Sequence, residues 1–151
     1  IKPSTKMTLN KSQLPESCLA SVSGSVTANE LRIGNIYEYF VLDKLDPRKK
    51  WWEIVVCDAT DLVYLENNPN DRDFRFIPIT TDWLLLNGYK QMPSGNYLQP
   101  NSGNFVWFEK DLKCSIAGEI EVNHIRYVHQ LQNLYFSITG LELPLVSLTD
   151  R

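Results

Sequence analysis

The longest stretch with a helical period runs from Glu121 to Gly140, and a stripe of that length needs another layer to bury it. At about 100° per residue His124, Val128, Leu131, Tyr135 and Ile138 share one arc, flanked by Tyr127 and Leu134. Arg126, Gln130, Asn133 and Ser137 form a polar strip opposite. Ile125, His129, Gln132 and Phe136 make a third, half-apolar strip between the two. Asn123 has the side chain of an N-cap, Gly140 suits a left-handed end, and Leu141 is placed to fold back on Phe136. Pro144 blocks resumption of the helix. The expectation is a helix of about four turns, capped at both ends.

Upstream the period changes to that of strands. Ile36 to Leu42 and Trp51 to Asp58 are dense in aromatic and β-branched residues, with Asp43 to Lys50 as the hairpin loop between them. Asp61 to Glu66 reads as a third strand and Phe74 to Ile77 as a short fourth. A Thr cap, Asp82 in the first turn and Gly88 past the end predict a helix of about two turns over 80–88. Tyr97 to Gln99, Asn104 to Glu109 and Lys113 to Ala117 read as further strands. Strands in runs with short turns, rather than alternating with helices, imply an α+β fold. It consists of a small, mostly antiparallel sheet or partly open barrel, one short helix and one long C-terminal helix. Residues 1–28 read as an N-terminal arm or linker, 29–143 as the α+β domain and 144–151 as a tail.

Several chemistries find no motif. No phosphate-cradling glycine loop, dinucleotide fingerprint or nucleophile elbow occurs. His124 and His129 stand five apart, about 140° around a helix, where chelation from one helix needs a spacing of three or four. The carboxylate pairs Asp58/Asp61, Asp71/Asp73, Glu109/Asp111 and Glu119/Glu121 flank predicted turns, where such residues serve the backbone. The expectation is therefore a protein that is not an enzyme, with no catalytic residue, metal site or cofactor. Cys18, Cys57 and Cys114 are odd in number and lack C-x-x-C spacing, against a disulfide framework or zinc knuckle, and Cys57 and Cys114, inside apolar runs, read as core residues in a reducing compartment. No apolar run approaches the roughly 20 residues of a membrane-spanning helix, and no membrane partner is expected.

Two surfaces are candidates for binding. The half-apolar strip Ile125, His129, Gln132 and Phe136, with the amides Gln130 and Asn133, suits either the core or a protein partner. Arg48, Lys49, Lys50 and Trp51 sit at the hairpin tip, where cations beside an indole suit a nucleic-acid strand; Trp52 is expected to turn into the core. The net charge of −3 disfavours nucleic acid as the default partner.

Three phrases carry a family resemblance: Asn29-Glu-Leu-Arg-Ile-Gly-Asn35, Ile77-Pro-Ile-Thr-Thr-Asp-Trp-Leu-Leu-Leu-Asn-Gly-Tyr89 and Ile125-Arg-Tyr-Val-His-Gln-Leu-Gln-Asn-Leu-Tyr-Phe-Ser-Ile-Thr-Gly-Leu-Glu-Leu143. Across residues 29–143 the chain resembles a family of small uncharacterised proteins of Bacteroidetes genomes, prophages and mobile elements. Leu141 departs from that wording, which favours Glu there, and residues 1–26 look like an addition to it. The resemblance implies a bacterial or phage protein of the cytoplasm and supplies no activity. The expected function is an interaction module, an accessory or inhibitor protein that binds another protein or itself, with residues 1–26 as a docking arm. The alternative is a single-stranded nucleic-acid-associated protein using the Arg48–Trp52 tip.

Overall fold

In the computed structural model, residues 27–46, 48–99, 105–108, 113–116 and 119–144 are described, with 105–108 as backbone only. The expected docking arm, the turn at 101–104 and most of the tail lie outside them. Among the described residues eight strands and three helices follow in order: β1 (Ile36–Leu42), β2 (Lys50–Val56), α1 (Ala59–Asn67), β3 (Phe74–Arg75), α2 (Thr81–Leu86), β4 (Lys90–Gln91), β5 (Tyr97–Leu98), β6 (Phe105–Phe108), β7 (Lys113–Ile116), β8 (Ile120–Val122) and α3 (Val128–Thr139). The fold is α+β, and all strand pairs are antiparallel. The strands form two antiparallel sheets, β2-β1-β3 and β4-β5-β6-β7-β8, and neither is a closed barrel. The chain divides into two compact units at Ile77 and Pro78.

In the first unit the hairpin register pairs Ile36 with Val56 and Leu42 with Lys50, so side chains alternate cleanly between two faces. One face carries Ile36, Glu38, Phe40 and Leu42; the other carries Tyr37, Tyr39 and Val41 with Trp51, Glu53 and Val55. The opening phrase is spent on entering this sheet. Gly34 takes φ 93°, and the Asn35 side chain accepts the N–H of Arg32 at 2.8 Å. At the far end, Asp43 Oδ1 accepts from Leu45 N at 2.8 Å and Asp46 Oδ1 from Arg48 N at 3.2 Å, so aspartate turns fold the hairpin tip.

The expected third strand is instead α1. Asp58 Oδ1 accepts from the N–H groups of Thr60 and Asp61 at 2.8 and 3.0 Å, and Asp61 Oδ2 accepts from Asp58 N at 3.0 Å. That capping box starts a helix through a run whose Val63 and Tyr64 favour strands. Asn67 and Asn68 amides then donate to the carbonyls of Val63 and Tyr64, closing the last turn.

In the second unit Thr80 caps α2 through its side-chain oxygen, and Asn87 Nδ2 donates to Trp83 O at 2.6 Å. Trp83, Leu84, Leu86 and Tyr89 are buried. Helix α3 begins five residues after the expected cap at Asn123. Tyr127 forms a bridge with Pro78, and Ile79 N donates to Arg126 O at 2.9 Å, so residues 126–127 are held extended. Two backbone pairings across the unit outweigh one local cap of about 1 kcal/mol. His124 consequently lies outside the helix and is exposed. Gly140 takes φ 70°, as expected, and donates to Phe136 O at 2.8 Å. Leu141 is exposed, and its N–H goes to Thr139 Oγ1 at 3.1 Å.

Candidate interaction surface

The six residues expected to meet a protein partner separate into three environments. Ile125, His129 and Gln132 are buried, so the middle of the strip is interior and does not serve as a docking face in this fold. Gln130 is spent locally: its Oε1 accepts from Arg126 N at 2.8 Å and Tyr127 N at 3.2 Å, holding the first turn of α3. Asn133 is half-buried, and its carbonyl accepts from Ser137 Oγ at 2.7 Å. Phe136 alone of the six is exposed, with Ile138 and Leu141 near it in sequence. Burial lowers the His129 ring to about 4, so it is neutral at ordinary pH, and it stacks on Tyr127 at 5.9 Å. Such a ring behaves as a core residue.

At the hairpin tip, Arg48 is tied to Asp46 by a 3.0 Å ion pair with its side chain open to solvent. Such exposed pairs contribute little to stability. Lys49 and Lys50 are exposed, and Trp51 is half-exposed. Trp52 faces the other way, as expected, and is occupied there. The Arg75 guanidinium lies over its ring, 3.9 Å from the centroid, and Phe40 packs on it at 5.1 Å. Arg75 Nε in turn donates to Glu38 Oε2, an ion pair whose side chains are almost wholly enclosed. This face is a structural brace.

The opposite face carries a surface that the residue pattern did not reveal. Trp51 and Tyr39 are neighbours on it by register, one residue pair apart along the hairpin. Phe74 pairs opposite Tyr39, with ring centroids 5.0 Å apart, and Tyr64 from α1 stacks on the same Phe74 at 5.6 Å. Trp51 on β2, Tyr39 on β1 and Tyr64 on α1 thus stand on this side of the sheet, the two tyrosines against a buried Phe74, with Val63 next to Tyr64 in sequence. Their exposures are 39, 37, 46 and 60%. Half-exposed aromatic side chains gathered on one face are unlike the scattered single apolar residues of an ordinary surface. The charges beside them differ. Lys49 follows Trp51 at the hairpin end, Lys50 standing opposite Leu42 on the other face, while Asp71 accepts from the Tyr64 hydroxyl at 2.8 Å and raises that phenol above its usual value.

Nothing comparable marks a reaction centre among the described residues. No three His, Cys, Asp or Glu side chains come together there. Burial pushes the Cys114 thiol up to about 12, which makes it inert at neutral pH. Tyr37, buried and facing Asp61, is also held well above the ordinary phenol range. A hollow lined by Asn68, Pro69, Asn70 and Asp71 opens on the surface loop after α1. No described helix is long and apolar enough to cross a membrane. Comparison with protein-family models, curated proteins and solved structures finds no match to this chain.

Proposed function

We propose that the chain is a non-enzymatic protein-interaction module, an accessory or inhibitor protein of a phage or mobile element, working in the bacterial cytoplasm by binding another protein or itself. The observation that carries this reading is the Trp51–Tyr39–Tyr64 strip. Tyrosine and tryptophan supply large contact areas at low entropic cost and are enriched where proteins meet. The strip stands on paired strands and a capped helix, so little ordering is needed on contact. The three shared phrases supply cores and caps, which fits a scaffold carrying a binding face of its own. The test is capture from an extract of the source organism, with immobilised wild type beside the Trp51→Ser/Val63→Ser variant. A protein retained by the wild type and lost from the variant is the expected result. Equal recovery on both overturns the reading.

A second reading is favoured by one observation, that Trp51 stands exposed beside Lys49 and Lys50. An indole next to cations suits the bases and phosphates of a single strand. Binding of a thymidine oligonucleotide would then fall steeply with salt and vanish in Lys49→Glu. Unchanged binding in that variant removes the tip.

A further inference from the structure

Asn87-Gly88 is the one Asn-Gly pair in the sequence, and it closes helix α2. Gly88 takes φ 78°, so the turn itself calls for glycine. Glycine after asparagine is also the pairing in which a side-chain amide is lost most readily, because no Cβ keeps the glycine nitrogen from the asparagine Cγ. In that reaction the Gly88 nitrogen attacks Cγ, a new N–C bond forms, and the Nδ2 group leaves as ammonia with the amide proton. Water then opens the cyclic imide at either of its carbonyls. One opening leaves aspartate, and the other leaves isoaspartate, whose chain runs on through the former side chain.

The folded chain blocks each part of this step. Asn87 is 0% exposed, which keeps water out. Its Nδ2 donates to Trp83 O at 2.6 Å, so the group that must leave is held against the end of the helix. The nucleophile, Gly88 N, donates to Leu85 O at 3.1 Å, and Tyr89 N donates to Leu84 O at 3.0 Å, so helix-end pairings fix the backbone on both sides of it. Ring closure needs that nitrogen eclipsed with Cβ about the Asn87 Cα–C bond, and at ψ 19° the two are turned well apart. The same surroundings reject the product. A carboxylate at Asn87 has no proton to give the Trp83 carbonyl, its Oδ1 position has no hydrogen-bond partner among the described residues, and the last turn of α2 holds no basic side chain. Burial and the negative end of the helix both oppose a negative charge there. Isoaspartate lengthens the backbone between helix carbonyls that Gly88 and Tyr89 must reach.

We propose that Asn87-Gly88 is a modification site gated by unfolding. It is shielded while α2 is formed, it deamidates once the chain opens, and a converted chain does not return to the native state. Unfolding then becomes irreversible with the time spent open, through one bond.

The experiment holds the full chain at mildly alkaline pH, with and without guanidinium chloride at an unfolding concentration. At intervals samples are returned to native buffer, refolded chains are separated by size from those that fail, and both fractions are digested with trypsin. The peptide from Phe76 to Lys90 carries Asn87 as its only asparagine. Its mass gain reports conversion, and its separate elution reports isoaspartate. The expected result is conversion in the unfolded sample, none over the same time in the folded one, and converted peptide confined to the chains that fail to refold. Asn87→Asp, made directly, should melt well below the wild type at neutral pH or lack a cooperative transition. Conversion in the folded chain at the unfolded rate, no conversion in either sample, converted peptide among the refolded chains, or an Asn87→Asp chain that melts with the wild type each overturns the proposal.

Discussion

His129 predicts an acid sensitivity that belongs to one residue. Its ring is 1% exposed, and burial lowers it to about 4 from an ordinary 6.5. In the folded chain the ring therefore stays neutral to about pH 4, while in the unfolded chain it gains a proton below about 6.5. Between those values the unfolded state binds more protons, so stability falls as pH falls. The contribution is complete above pH 6.5 and is lost progressively towards pH 4. A shift of about 2.5 pH at 1.36 kcal/mol each makes the whole loss about 3 kcal/mol, of which about 2 is gone by pH 5. That is a large share of the 5–15 kcal/mol typical of a domain.

Urea unfolding at pH 7.5, 6.5, 5.5 and 5.0 measures it, for the wild type, His129→Leu and His124→Gln. Carboxylates with ordinary values titrate mostly below this window and do so in all three proteins. The wild type and His124→Gln should lose about 2 kcal/mol between pH 7.5 and 5.0, since His124 is exposed in a turn. His129→Leu should be nearly flat over the same range, whatever its absolute stability. Parallel curves for the wild type and His129→Leu would show that burial of this ring is not what couples stability to pH.

Two substitutions check the braces of the first unit. Arg75→Ala strands the enclosed Glu38 carboxylate and uncovers Trp52, and should cost about 3–5 kcal/mol in urea unfolding, whereas Glu38→Gln/Arg75→Met should recover most of it. An Arg75→Ala cost below 1 kcal/mol would mean that the pair is solvated. Asp58→Ala removes the cap of α1 and should cost about 1–2 kcal/mol, while Asp58→Asn, which keeps an acceptor, should cost less than half of that. Equal losses from Ala and Asn would point to the charge rather than the cap.

How far the surface could be read from the residues follows from one element. β1, β2 and their loop are legible because aromatic and β-branched runs on either side of a polar loop specify a hairpin. Trp51 stands out because its cations are its sequence neighbours. Tyr39 and Tyr64 do not, because they meet only through Phe74, at separations along the chain that no local pattern records. Reading Asp61 to Glu66 as a strand hides the meeting altogether: in a strand the run would lie in the sheet, with Tyr64 beside the ladder rather than across it. The correcting signal is present, since Asp58 and Asp61 have capping-box spacing, but the strand propensity of Val63 and Tyr64 masks it. On α3 the strip that holds His129 and Gln132 suits either the core or a partner by pattern alone, and their burial, beside a late helix start held by Tyr127 against Pro78, makes them core. Local chemistry thus identifies which segments fold, but the exposed face emerges only when α1 lies across the sheet. For that reason Asp58→Ala, outside the strip but at the root of α1, should weaken partner capture in the extract assay as well as stability.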